Sequence, residues 1–154
     1  MKEKFKYIAG LGNYAKNDDG IGLRVIEYIV ENNLDSDFQA LEIGNDGMTL
    51  LTYFNKSTEK IVLVDCALMG RNPGECLVLD LDDISTNKTT GNISTHEGDI
   101  LKLVELAEML EYPVPTLKII AIEPDSLEME MNLSKTLESN LEKYAQTAIN
   151  TLRD

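Results

Sequence analysis

Residues 5–29 read FKYIAGLGNYAKNDDGIGLRVIEYI, and this stretch decides the architecture. Its first part, FKYIAGL (5–11), is short, apolar and closed by glycine, which predicts a strand buried on both faces. Its last part repeats Ile21, Val25, Ile26 and Ile29 at helical spacing until the polar run ENNLDSD ends the pattern. Between the two, Asp18 and Asp19 stand side by side in a glycine-flanked turn. Such a turn needs glycine; it does not need paired carboxylates in a chain with 27 acidic residues and a formal net charge of −13.

Working outward, FQALEIG (38–44) predicts a second strand, and Gly47 opens a short helix with Met48, Leu50, Leu51 and Phe54. KIVLVDCAL (60–68), rich in β-branched residues, reads as the central strand. The turn RNPGE follows, with Pro73-Gly74 suited to the middle of a type II turn. That link is too short for a parallel crossover, so the next strand, ECLVLDL (75–81), is expected to run antiparallel. Residues 82–95 are polar and give no clear element. Ser94 and Glu97 in STHE form a capping-box pattern ahead of a helix carrying Ile100, Leu103, Val104, Ala107 and Leu110. Pro113 and Pro115 stop it, TLKIIAIEP (116–124) is the last strand, and Leu137, Leu141, Tyr144, Ala148 and Leu152 predict one long amphipathic helix. Alternating strands and helices predict an α/β fold, a three-layer α/β/α sandwich. Its sheet is mostly parallel with one antiparallel strand, and helices cover both faces. No repeat, low-complexity tract or linker interrupts residues 1–154, so one domain is expected.

Composition narrows the partners. Hydrophobic content of 43% with 27% charged residues is ordinary for a globular protein. The negative charge disfavours nucleic acid and anionic membrane, whose phosphates it would repel. MKEKFKYIAG has too short an apolar run for a signal peptide or a membrane span, so a cytoplasmic location is expected. Cys66 and Cys76 both lie in apolar runs and are expected to be buried free thiols.

Ligands of open α/β sheets bind beyond the carboxyl ends of the strands. Asp18 and Asp19 follow the first strand, Glu42 and Asn45 close the second, and Asp65 lies near the end of the third. His96, the one histidine, sits at the start of a helix. Each has two readings. Asp18 or Asp19 could simply cap the following helix, where a carboxylate gains ~0.3–1 kcal/mol from the helix N-terminus. Asp65 would be costly to bury unpaired, so it either emerges at the strand end or meets a cation. His96 is either an incidental surface residue or a ligand, since a helix N-terminus disfavours protonation of the imidazole. Two carboxylates and one imidazole on one edge could hold a divalent ion with open positions. No dinucleotide fingerprint, P-loop, serine elbow or H-E-x-x-H helix is present.

GLGNYAKNDDGIGLRVIEYI, VLVDCALMGRNPGECLVLDLDDI, STHEGDILKLVELA and IIAIEPDSLEMEMNLSKTLESNL, taken in this order, resemble the hydrogenase maturation protease family over nearly the whole chain. The resemblance implies a mostly parallel five-stranded sheet. It also implies an endopeptidase that removes the C-terminal extension of a nickel–iron hydrogenase large-subunit precursor after nickel insertion. Asp19, Asp65 and His96 fall on the family's metal-contacting positions, with Asp19 or Asp65 the candidate catalytic base. The nickel is expected to arrive with the substrate, so the resting protein, expected as a monomer, need hold none. Where the family has Asp-Gly-Gly-Thr, this chain has Glu42-Ile43-Gly44-Asn45, leaving the role of Glu42 open. Two alternatives stand beside this reading: a nickel-sensing chaperone that does not cut, and a peptidyl-tRNA hydrolase, whose first strand also runs into GLGN. The latter expects a histidine–asparagine pair and a basic surface, and this chain has DDGIG and the opposite charge.

Overall fold

A computed structural model describes residues 3–89 and 100–154, the side chains of 86–89 excepted. Five strands form one sheet: β1 (Phe5–Leu11), β2 (Gln39–Gly44), β3 (Thr58–Cys66), β4 (Cys76–Leu79) and β5 (Thr116–Ile122), in the order β2-β1-β3-β5-β4. All neighbours run parallel except β4, which is antiparallel to β5, as its short connection requires.

Helices α1 (Ile21–Glu31) and α5 (Leu141–Arg153) cover one face, where Ile8, Val62, Val64, Ile120 and Tyr144 share a core with Ile26 and Ala148. A 3₁₀ turn (Gly47–Tyr53), α2 (Leu81–Thr89) and α3 (Ile100–Met109) cover the other, over Ala9, Leu63 and Ile119. Strand alternation sends successive residues to the two cores.

Two helical segments differ from expectation. Within the polar run, α2 starts at a reciprocal cap: the Asp83 amide donates to the Asp80 carboxylate (2.9 Å), and the Asp80 amide to that of Asp83 (3.0 Å). This is a capping box built with aspartate in place of glutamate. The long C-terminal helix is instead broken into α4 (Lys135–Glu138) and α5. Both the Ser139 hydroxyl and the Asn140 amide donate to the Thr136 carbonyl, and these local bonds compete with the helical ladder. The capping box of Ser94 and Glu97 lies outside the described residues.

The cysteines are free thiols, but only Cys66 is buried; Cys76 is half-exposed on edge strand β4. Both pair in register with Ile122 from opposite sides of β5. Two strand spacings, about 10 Å, exceed disulfide reach. Among the described residues, no helix is long and apolar enough to cross a membrane.

Candidate active site at the sheet switch point

The strand order reverses between β1 and β3, and the crevice outside their carboxyl ends is where such sheets bind ligands. Glycines make the approach close. A Cβ on Gly22 would stand 2.2 Å from the Val64 carbonyl oxygen and 2.3 Å from that of Leu11. One on Gly12, whose φ is +132°, would stand 2.0 Å from the Asp19 carbonyl oxygen. The first turn of α1 therefore rests directly on β1 and β3. The preceding 3₁₀ turn (Asn17–Gly20) is carried to the switch point with it.

Asp19 sits in that turn and Asp65 is the penultimate residue of β3; both are buried. Asp65 does not emerge at the strand end as one sequence reading held: it remains in the ladder, paired with Ala121. The thiol of neighbouring Cys66 records the local field. Burial pushes its pKa well up, and the carboxylates of Asp65, Asp19, Asp18 and Glu123 push it further. Residues up to 105 positions apart in sequence thus bring their charge near one thiol.

Asp18 has a different task from the one its position suggests. It makes no side-chain cap to the turn or to α1. Fully buried, its carboxylate accepts the amides of Asp125 (2.8 Å), Ser126 (3.0 Å) and Ser134 (2.7 Å), binding the segment after β5 to the aspartate turn. Glu123 does the same for the loop after β3. Its carboxylate accepts the amides of Met69 (2.8 Å) and Arg71 (2.9 Å), while the Tyr144 hydroxyl donates to the Gly74 carbonyl (2.7 Å). Neither Glu123 nor Asn17 stood out in the sequence. Asn17 adopts φ +45°, a left-handed conformation that asparagine tolerates, and this turn signal was available.

Glu42 is exposed near the end of β2, whereas Asp19 and Asp65 are buried. Its carboxylate accepts from the Tyr14 hydroxyl at 3.2 Å, while Glu27 takes the same hydroxyl at 2.6 Å. Arg24 lies over the Tyr14 ring, 4.7 Å from its centre, and its guanidinium donates to Glu27 (3.2 Å). Burial and the two glutamates hold the Tyr14 phenol far above its usual range, so it serves as a donor. His96 lies outside the described residues. Among those described, no group of three histidine, cysteine or carboxylate side chains could hold a metal ion. What they offer is a pair of oxygen donors, the kind that combines with imidazole around a divalent transition metal.

A family profile described as hydrogenase maturation protease matches residues 23–151. The chain belongs to that family. Its members are hydrogenase maturation proteases. The hydrogenase 2 maturation protease of Escherichia coli is 26% identical over 152 residues, covering 96% of this chain and 90% of its own. The hydrogenase expression/formation protein HupD of Rhodobacter capsulatus is 25% identical over 122 residues, or 79% of this chain, and the match spans only 58% of that protein's length. Among solved structures, the NiFe hydrogenase maturation protease HybD from Thermococcus kodakarensis superimposes with a TM-score of 0.79 at 25% identity, covering 96% of this chain and 99% of that one. The five-stranded, mostly parallel sheet is the fold of these maturation proteases.

Proposed function

We propose that this hydrogenase maturation protease removes a C-terminal extension from a nickel–iron hydrogenase large-subunit precursor, and does so only once nickel is in place. The observation that supports the reading is that Asp19, in the turn after β1, and Asp65, at the end of β3, are both buried beside the switch point and both bear on the Cys66 thiol. In this proposal His96 joins them, and two carboxylates with one imidazole would leave coordination positions open for nickel already held by the substrate.

In this reading nickel belongs to the substrate, and the protein's three side chains recognise it. A tenfold preference for the loaded precursor requires only ~1.4 kcal/mol, within reach of one metal–ligand contact. A carboxylate, Asp19 or Asp65, takes a proton from the attacking water, and general-base assistance of this kind contributes about 10²–10⁴-fold. The bound metal would supply Lewis-acid polarisation of the carbonyl. Burial suits the carboxylates to both tasks, because charge interactions strengthen where water is excluded.

The deciding experiment mixes the purified protein with nickel-loaded and nickel-free precursor and weighs the products. Shortening of the loaded form alone is the expected result. A loaded precursor that binds tightly and stays intact refutes proteolysis and leaves a chaperone. His96→Ala is expected to abolish processing while preserving the far-ultraviolet circular dichroism spectrum. Normal cleavage by that variant removes His96 from the mechanism.

A further inference from the structure

The segment joining β5 to α4 combines a fastened backbone with apolar side chains held out in water. Its two ends are tied to Asp18 through the amides of Asp125, Ser126 and Ser134. Its tip is tied as well, through three consecutive carbonyls. Glu130 accepts the Asn17 amide (2.8 Å), Met131 the Arg24 guanidinium (2.7 Å), and Asn132 the Asn17 side chain (2.6 Å). Yet Met129 is 76% exposed and Met131 58%. Exposed apolar side chains gain nothing for the isolated fold, whereas a pre-ordered mount reduces the ordering cost of binding. Methionine, unbranched and polarisable, adapts to varied apolar partners.

Met131 also forms one wall of a cleft of about 320 Å³. Leu23 and Ile43 contribute apolar surface, and residues 12–15 form a further side. At Gly44 (φ +70°) a Cβ would find nothing nearer than the Gly12 carbonyl at 3.7 Å, so the cleft stays open there. The cleft adjoins the aspartate turn directly: the Asn13 amide on its wall donates to the Asp19 carbonyl (3.3 Å). One carboxylate, Glu42, lies on its lining, and the Arg24 guanidinium stands over the Tyr14 ring of its wall.

We propose that this cleft is a specificity subsite, in which Met131 packs against an apolar side chain of the extended substrate segment that carries the bond to be cut. The inference rests on the protease reading above and adds the subsite and its preference.

Two measurements test this. First, benzoylphenylalanine in place of Met131 is photo-crosslinked to nickel-loaded precursor and the adduct mapped by mass spectrometry. The expected adduct lies in the precursor's C-terminal segment; adducts only with its folded body, or with a second copy of this chain, overturn the proposal. Second, Met131→Glu and Met131→Leu are compared with the parent. Met131→Glu is expected to raise KM about tenfold with kcat held within about threefold, whereas Met131→Leu stays near the parent. The thermal transition is expected to hold, since the tip is fastened by backbone carbonyls. An unchanged KM for Met131→Glu overturns the proposal. If the parent binds precursor without cutting it, proteolysis fails while the same comparison, read as Kd, still tests the subsite. A parent that does not bind precursor at all overturns both.

Discussion

Asp18→Asn tests the claim that a buried carboxylate, rather than apolar packing, holds the segment after β5. The parent carboxylate accepts three backbone amides, two on Oδ2 and one on Oδ1, at 2.7–3.0 Å. Asparagine keeps one acceptor oxygen. If that oxygen faces Asp125 and Ser126, the new amide group points a donor at the Ser134 N–H, and that bond is lost. A hydrogen bond to a charged group contributes about 1.5–3 kcal/mol. The two that survive now go to a neutral acceptor and keep about half their strength. The sum is a loss of ~3–6 kcal/mol, a large share of the 5–15 kcal/mol typical of a domain. Urea unfolding gives the total, and amide hydrogen exchange at 125, 126 and 134 locates it. Exchange at these three amides should accelerate more than at the β3 amides. A midpoint shift worth under about 1 kcal/mol, with exchange unchanged, would refute the reasoning.

The other expectations concern packing and pH. Gly22→Ala forces a Cβ to within 2.2 Å of the Val64 carbonyl, so α1 must lift from the sheet; reduced stability together with lost processing is expected, and parental stability by urea unfolding would contradict it. Tyr144, buried and hydrogen-bonded to Gly74, has its phenol pushed up to about 12, first by burial and then by the nearby Cys76 and Asp18. The unfolded chain releases that proton near 10 and the folded chain only near 12, so this contribution is complete below pH 10 and lost as pH rises between the two. The parent should therefore lose ~2–3 kcal/mol more than Tyr144→Phe across that window, and parallel stability curves would rule it out.

Much of the architecture was legible because its signals are local. The runs 5–11 and 60–68 were apolar and short, and the five-residue RNPGE link dictated an antiparallel β4. Helix α2 was missed because its cap uses Asp80 and Asp83, a shorter version of the expected pair, and its polar face hides the buried Ile84. The break between α4 and α5 was missed because apolar spacing carries through Ser139 and Asn140, whose side-chain bonds no periodicity reveals. At the site, strand ends and paired aspartates pointed to the switch point. The division of labour between them was not readable. Asp18 serves three amides more than 100 residues away, and only the folded chain brings those donors to it. Glu123 was silent for the same reason: what it fastens is a loop begun 54 positions earlier.

The absent side chain of Gly22 has a consequence for how this protein can diverge. The seat of Asp19 over β3 is gauged by main-chain atoms, with peptide groups of α1 resting on those of Leu11 and Val64. Substitutions among Ile26, Val62 or Ala148 can change how tightly the layers fill without resetting that gauge. The interior is thereby free to drift while the turn that carries Asp19 keeps its seat on the sheet.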